Sequence, residues 1–294
     1  MSTSALVRAL VDDAAVFPPG ELPLRQAVDE HRRHRSSPYA DAVGPLLVRA
    51  TDATSLHRLL AVEDKMPVSL VVRPGGDPQG LPTAVLQLQR EDRGQVAGLE
   101  LPVSDPISLR PVLDLGAPVW LEVWRDTIDE DLDAVAAIGA GAKLRTGGLD
   151  PQDVPTDDVL ARFVTGCRDR SLRFKLTAGL HHAVRRPAAD GADQPEWHGV
   201  ANVMSAAAAA VGGDVEAARG WLAEADRARL RKHLESLDDA QVAAMRASFV
   251  SFGCCGVTDP LRELEQLLPG TVSGLPATDP IDLTSTTSTA KERS

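Results

Sequence analysis

Eight short apolar runs recur along this chain, and nearly all are followed by a segment whose apolar residues have helical spacing. Their near-continuous Val, Leu and Ala content is typical of strands buried on both faces of a parallel sheet. The runs cover residues 14–17, 45–50, 67–73, 95–101, 118–124 and 248–252, together with the segments around Lys143 and Lys175. The pattern therefore predicts eight successive strand–helix units.

Eight such units in about 270 residues predict an α/β fold, a (β/α)8 TIM barrel. A doubly wound open sheet is the competing fold, but no strand is followed by a GxGxxG fingerprint, which favours the barrel. We expect residues 1–270 to form a single barrel domain. Extra helices at about 200–247 would be inserted between strands seven and eight, covering the mouth or forming an oligomer contact. Residues 271–294, rich in Ser, Thr and Asp, are predicted to be a disordered tail.

Composition narrows the class of protein. Of 294 residues, 43% are hydrophobic but only 3% aromatic, so the core must be built from Ala, Val and Leu. The net charge of −11 argues against nucleic-acid partners and anionic membrane surfaces. No apolar run approaches the ~20 residues of a membrane span, and residues 1–8 lack the features of a signal peptide. The expected location is the cytoplasm, where three cysteines without a disulfide or zinc spacing are ordinary.

The lysines carry the strongest functional pattern. Lys143-Leu-Arg-Thr-Gly is echoed thirty-two residues later by Lys175-Leu-Thr-Ala-Gly, in a chain with five lysines and twenty-six arginines. Lysine, unlike arginine, can lose its proton when desolvated, which lets it act as a base or a Schiff-base nucleophile. The alternative is that both lysines lie at strand ends in ion pairs with Asp or Glu.

In a TIM barrel the chemistry lies at the carboxyl ends of the strands. Glu100 and Glu122 are each flanked by apolar residues on strands four and five, and alternation puts Lys143 with Arg145, and Lys175 with Thr177, on one face. We therefore predict Lys143, Lys175, Glu100 and Glu122 as catalytic residues. The alternatives are a purely structural ion-pair cluster, or a strand phase shifted by one that turns either glutamate outward.

An anion site is predicted beside these residues. The run 251–256 (Ser-Phe-Gly-Cys-Cys-Gly) precedes a helix and offers unhindered backbone N–H groups where barrels commonly hold phosphate. Arg145 could pair with a carboxylate or phosphate in bidentate fashion. The expected partner is a small anionic substrate. Its predicted binding residues are Arg145, Thr146, Gly147, Thr177, His181, His182, His198, Ser251, Gly253 and Cys254.

Three histidines leave a metal-dependent alternative open. Together with Glu100 and Glu122, His181, His182 and His198 would be enough ligands for Zn²⁺ or Mn²⁺. Adjacent histidines on a loop rarely bind one ion, however, and the chain has no HxH motif. We therefore predict no metal and no cofactor, with one histidine acting as acid, base or substrate contact.

Three short motifs resemble one known family. Lys143-Leu-Arg-Thr-Gly-Gly resembles the strand-six motif Lys-x-Ser-Thr-Gly of deoxyribose-phosphate aldolase and its class I aldolase relatives. Phe174-Lys-Leu-Thr-Ala-Gly-Leu resembles their strand seven, and Phe252-Gly-Cys-Cys is similar to their Phe-Gly-small-Ser after strand eight. The match covers about fifty residues. Arg145 stands where the family has a small residue, Glu replaces Asp on strand four, and cysteine replaces serine after strand eight.

The resemblance implies a role for each matching residue. Lys143 would be the Schiff-base nucleophile, and Lys175 a second ammonium that helps it to lose its proton. Glu100 would transfer protons, while Gly147, Gly253 and Cys254 would lie in a phosphate pocket. The predicted function is a Schiff-base carbon–carbon lyase, or a related carbonyl enzyme, acting on a small anionic, sugar-phosphate-like substrate.

Two rival functions remain beside the lyase. One is the metal-dependent hydrolase or isomerase that would use the two glutamates and the loop histidines. The other is a non-catalytic barrel protein. In that case the amphipathic helices of residues 214–247 would serve assembly, and a homo-oligomer would form through the insertion.

Overall fold

Eight parallel strands close into a barrel in chain order, with the last strand paired to the first. The structure, a computed structural model, describes residues 3–104, 106–148, 150–186 and 196–276. This confirms the (β/α)8 fold. The strands are β1 (Val11–Asp13), β2 (Val43–Arg49), β3 (Met66–Val71), β4 (Gly94–Pro102), β5 (Val119–Glu122), β6 (Gly141–Arg145), β7 (Phe174–Thr177) and β8 (Phe249–Cys254).

Helices surround the barrel, and four of them lie between β7 and β8, where the sequence predicts an insertion. No helix in the described ranges has the length and apolar character needed to cross a lipid bilayer. The helices are α1 (Thr3–Val7), α2 (Leu24–Arg35), α3 (Ala53–Leu59), α4 (Leu81–Gln89), α5 (Pro106–Leu113), α6 (Ile128–Ala137), α7 (Asp157–Asp169), α8 (Val200–Val211), α9 (Val215–Ala223), α10 (Arg227–Ser236), α11 (Asp239–Ser248) and α12 (Thr258–Leu267).

The local sequence determines where helix α7, between the two lysine strands, begins and which of its faces is buried. Thr156 caps its start by accepting a hydrogen bond from the Val159 N–H, and two aspartates in the first turn favour the positive end of the helix dipole. Leu160, Phe163 and Val164 then recur at helical spacing and are buried against the strands. The edge of the Phe163 ring meets Phe174 of β7. This contact packs α7 against β7, which pairs with β6 through its backbone.

Strand register brings the charged residues to one level inside the barrel. Lys143 of β6 is the register partner of both Glu122 on β5 and Lys175 on β7, and Lys175 is paired in turn with Ser251 on β8. Because side chains alternate along a strand, all of these point to the interior. Below them the Trp120 ring lies against Gly141, where any side chain would overlap the indole.

The predicted boundaries of the first strand are wrong. The first strand was expected at residues 14–17, with Asp12 and Asp13 before it, but β1 is Val11–Asp13 and both aspartates lie within it. The Ala14 N–H still bonds the Cys254 carbonyl, and then the chain turns, with the Phe17 N–H donating to Ala14 O. The apolar side chains of 14–17 pack in two small clusters instead of continuing the sheet.

The segment after α12 was expected to belong to a disordered tail. Thr271 and Val272 are buried, and the Val272 N–H donates to the Glu265 carboxylate at 2.7 Å. The remainder of that predicted tail, 277–294, lies outside the described residues, as does 187–195 of the loop after β7.

Candidate functional site

Six charged side chains form a continuous row of alternating sign inside the carboxyl end of the barrel. The Lys175 ammonium lies 2.6 Å from Asp12 Oδ2 and 2.5 Å from Glu100 Oε1. The other oxygen of Glu100 is 3.2 Å from Lys143 Nζ, which is also 2.9 Å from Glu122 Oε2. Glu122 Oε1 reaches Arg145 Nε at 3.3 Å. The row thus runs Asp12, Lys175, Glu100, Lys143, Glu122, Arg145.

The row contains three carboxylates and three cations, and five of the six side chains are buried. Burying an unpaired charge costs several kcal/mol, so buried ions must be paired and hydrogen-bonded. Here each inner member contacts two neighbours of opposite sign. The Ser251 hydroxyl donates to Asp12 Oδ2 at 2.9 Å and completes the partners of the first carboxylate. The alternation explains how the sequence tolerates Glu and Lys on buried strands.

Electrostatics fix the ionic state at the centre of the row. Burial opposes ionisation of Glu100, but the ammonium groups of Lys175 and Lys143 outweigh it and hold the pKa of this carboxyl at about 2. Burial likewise disfavours the charged form of Lys175, yet Asp12 and Glu100 outweigh it and raise the pKa of this amine. Lys175 is therefore a permanent ammonium at neutral pH, and Glu100 a permanent carboxylate.

The pKa values of the two outer carboxyl groups, Asp12 and Glu122, are shifted in opposite directions. Burial raises the pKa of Asp12, although Lys175 opposes this effect. For Glu122, burial is outweighed by Lys143 and Arg145, so the pKa of this carboxyl lies below its usual value. Arg145 is the one member with substantial exposure, at 42% of its side chain.

A cavity of about 480 Å³ opens above the row, within the size range of small-ligand sites. Glu100, Glu122, Lys143 and Arg145 line it. Lys175 and Asp12 belong to the same row, but neither is among the described residues that line the cavity. Of the two lysines in the repeated motif, Lys143 is therefore the one that lines the cavity.

The residues predicted to bind a substrate divide into two groups. Thr177, His181 and Gly253 line the cavity together with Arg145. Thr146 is fully buried and its hydroxyl donates to the carbonyls of Thr177 and Ala178, so it ties β6 to β7.

Gly147 has a packing role beside Thr146. A Cβ at this position would lie 2.8 Å from the Gly179 Cα. The glycine therefore allows the loops after β6 and β7 to pack backbone to backbone at the rim.

The three histidines point to three different places. His181 lines the cavity, and its Nδ1 is 3.5 Å from the Cys254 sulfur. His182 Nδ1 lies 3.0 Å from Glu263 Oε1 of α12, and buried His198 Nε2 lies 2.7 Å from the Pro155 carbonyl. In the described part of the chain no three His, Cys, Asp or Glu side chains are placed to hold a metal ion.

His181 is the one of the three predicted histidines placed at the cavity. Burial, and the neighbouring His182, lower the pKa of its imidazole. The ring therefore stays neutral at pH 7 and can donate or accept a hydrogen bond. Asn202 of α8 bonds backbone groups of Arg185, Trp221 and Glu224, and it is not among the residues that line the cavity.

The turn after β8, predicted to bind phosphate, contains a negative charge of the protein's own. A side chain at Gly256 would overlap the Asp259 carboxylate in the first turn of α12. Burial raises the pKa of both the Cys254 and the Cys255 thiols, so neither is a thiolate at neutral pH. Cys255 lines the cavity, whereas the Cys254 sulfur lies 3.4 Å from the Gly256 carbonyl.

Several residues of the site were missed in the sequence. Asp12 was noted before the first strand but left out of the predicted site, because the strand was placed too late. Alternation from the correct boundary would have turned it inward. Arg73, Asp153 and Trp197 also line the cavity. They lie in loops, where no periodicity indicates which side chain faces the barrel axis.

Comparison of the chain with models of known protein families, and with curated protein sequences, finds no match. The likeness to class I aldolases therefore rests on the three short motifs and on the barrel fold, which hosts many unrelated activities. The fold alone therefore does not indicate the function, and the side chains of the site do.

Proposed function

We propose that this protein is a Schiff-base enzyme, a carbon–carbon lyase of the class I aldolase type, with Lys143 as the nucleophile. One observation carries the proposal. Lys143 lines the cavity, and its Nζ lies between Glu122 at 2.9 Å and Glu100 at 3.2 Å. An amine with a carboxylate on each side can pass on its proton and receive one, as carbinolamine formation and dehydration require.

The first step transfers a proton from the Lys143 ammonium to Glu122, which leaves a neutral amine. This amine attacks the substrate carbonyl carbon, and the carbonyl oxygen takes the proton given up by the nitrogen. Glu122 then returns its proton to the carbinolamine hydroxyl, which leaves as water. The products are a protonated iminium on Lys143 and one water molecule.

Glu122, not Glu100, is the proton carrier in this scheme. With its pKa at about 2, Glu100 gains almost no proton at neutral pH. The pKa of Glu122 is also below its usual value, but this carboxyl lies next to half-exposed Arg145, at the more open end of the row. The fixed carboxylate of Glu100 instead stabilises the iminium cation, which carries the charge that the ammonium carried before.

Lys175 acts as a positioning residue beneath the nucleophile. Asp12 and Glu100 hold its amine at 2.6 and 2.5 Å, and its raised pKa keeps it charged. Its positive charge partly neutralises Glu100. Glu100 therefore attracts the proton of Lys143 less strongly than an unpaired carboxylate would.

Bond cleavage follows from the iminium. The electron pair of the breaking carbon–carbon bond moves into the iminium and forms an enamine, while Glu122 takes the proton of the substrate hydroxyl and an aldehyde leaves. Protonation of the enamine carbon and addition of water then release the second product and restore the amine.

Borohydride trapping tests the nucleophile. The protein is incubated with a panel of small aldehydes and oxo acids, reduced, digested and analysed by mass spectrometry. We expect a reduced adduct on Lys143 in the wild type and in Lys232→Met, whose lysine is exposed on α10, but no adduct at this site in Lys143→Met. Circular dichroism would verify that both variants fold.

The absence of any adduct on Lys143 across the panel would refute the lyase. The alternating row would then be a structural ion-pair cluster that closes the barrel.

A further inference from the structure

The cavity has one apolar wall. Ala14, Leu47 and Val71 form a small cluster of buried apolar side chains separate from the main core, and Phe17 packs against it. All four line the cavity. They come from the ends of β1, β2 and β3, the three neighbouring strands at this side of the barrel.

The opposite wall is charged. Glu122 of β5, with Lys143 and Arg145 of β6, faces the same space. Pro18, Pro19 and Val72 extend the apolar side at the rim. The cavity is thus divided into an apolar half and an ionic half, and a ligand that fills it must be divided in the same way, because apolar groups gain by leaving water and ionic groups lose.

The ionic half of the cavity places a guanidinium close to the reacting amine. In the part of the chain that the structure describes, the one ion pair of Arg145 runs through Nε to Glu122 at 3.3 Å, and the other Glu122 oxygen lies 2.9 Å from Lys143. The guanidinium and the amine are therefore separated by a single carboxylate group. The outer nitrogens of Arg145 can bind a substrate carboxylate in bidentate fashion.

A distant phosphate finds a poorer environment. The turn after β8 has the Asp259 carboxylate beside Gly256, and the thiol of Cys255, which lines the cavity there, is neutral because burial raises its pKa. His181, the nearest histidine of that side, is neutral as well. The remaining cation of the lining is Arg73, an exposed residue at the rim.

Resting on the Lys143 chemistry proposed above, we infer that the substrate is a 4-hydroxy-2-oxo acid with an apolar chain beyond the hydroxyl, not a sugar phosphate. Its carboxylate binds Arg145, its carbonyl meets Lys143, and its chain lies on the wall of Phe17, Leu47 and Val71. A 2-oxo acid fits because its carboxylate is bonded directly to the carbonyl carbon, which matches the short separation of the two cations.

Binding can be measured apart from chemistry with 2-hydroxy acids, which have no carbonyl and cannot form an imine. Isothermal titration of the intact protein with straight-chain 2-hydroxy acids from four to eight carbons should show affinity rising about three- to fourfold per added CH₂, from the ~0.8 kcal/mol gained when each is buried. Ribose 5-phosphate and inorganic phosphate should bind more weakly than the eight-carbon acid.

Matched variants test separately the contributions of the ionic half and the apolar half of the cavity to binding. Arg145→Leu should weaken binding of every acid at least tenfold, and Arg73→Leu, at the rim, should weaken it less. Arg58→Leu, an exposed residue on α3 outside the cavity lining, should leave it unchanged within twofold.

Phe17→Ala should flatten the dependence on chain length, and Leu86→Ala, an exposed residue on α4 at 64%, should not. If Phe17→Ala fails to fold, Val71→Thr can replace it, because threonine has nearly the same shape as valine. This variant should also flatten the dependence of affinity on chain length.

Equal affinity for all chain lengths, tighter binding of ribose 5-phosphate, or dependence on Arg73 instead of Arg145 would overturn the inference. Such a result together with a trapped Lys143 adduct would leave the lyase intact and remove only the substrate class. Chain-length dependence of the affinity without any adduct on Lys143 would support the apolar binding wall and refute the lyase.

Discussion

Glu100 is the central carboxylate of the buried row, and Glu100→Gln is the substitution that tests the row most directly. Glutamine keeps the shape of the side chain but removes its charge, which leaves Lys175 and Lys143 with one carboxylate each. Both ammonium groups stay buried and lose their shared partner. We expect a large loss of stability, because a buried ion that loses its partner still has to remain desolvated.

Two independent routes give the same size of effect. The carboxyl has a pKa of about 2 where a free glutamate has 4.5, and this gap corresponds to about 3 kcal/mol of stability at ~1.36 kcal/mol per pH unit. Removing one member of a buried ion pair typically costs about 3–5 kcal/mol. Glu100→Gln should therefore lower the free energy of unfolding by about 3 kcal/mol or more at pH 7.

The pH dependence has a definite sign. A carboxyl with a depressed pKa stabilises the fold at pH values above its unfolded pKa of 4.5, and that contribution is lost as the pH falls toward about 2. The wild type should therefore lose stability between about pH 4.5 and pH 2 through this group. Glu100→Gln should lack that part of the loss, so the two stability curves converge in acid.

Urea denaturation followed by circular dichroism, at pH 7 and at steps down to pH 3, measures both effects. Glu63→Gln is the matched control, since Glu63 is exposed and its substitution should change the free energy of unfolding by less than about 0.5 kcal/mol. A loss below 1 kcal/mol for Glu100→Gln at pH 7, or a loss equal at every pH, would refute the electrostatic account of the row.

Two further predictions concern the thiols and a rim glycine. Burial raises the pKa of Cys167, Cys254 and Cys255, so labelling with a thiol reagent at pH 8 should be slow in the native protein and complete in denaturant; stoichiometric labelling within seconds would contradict this. Gly179→Ala should destabilise the protein by about 2 kcal/mol or more in thermal denaturation, because φ is +86° and a Cβ would lie 2.5 Å from the Thr146 carbonyl. Gly220→Ala, within α9 and with nothing near a Cβ, should instead stabilise by about 0.5–1 kcal/mol, and equal effects of the two would sink the steric argument.

Much of the fold could be read from hydrophobic patterning alone. Three helices, α9 to α11, fill the segment 214–247, where the sequence predicted amphipathic helices. The strands appear as unbroken apolar runs because both their faces are buried, which is a local property of each run. Alternation within a strand then sets Lys143 with Arg145, and Lys175 with Thr177, toward the interior.

The positions of the three loop histidines could not be predicted from the hydrophobic pattern. His181, His182 and His198 lie in the segment between β7 and α8, and only the packing of α7, α12 and the turn after β8 decides that one faces the cavity. Their partners are far away in sequence, from Pro155 to Glu263. No periodicity within the loop contains that information.

Local patterns were enough to predict a closed ring of eight strands and most of the charged side chains that point into it, because period-two alternation and apolar run length are local quantities. The order in which those charges meet follows only from the folded chain, since it depends on the stagger between strands when the ring closes. The tertiary structure paired Asp12 of the first strand with Lys175 of the seventh, which neither segment can indicate alone. Lys143, and not its register partner Lys175, lines the cavity, and the amine of Lys175 is held by Asp12 of β1 and Glu100 of β4.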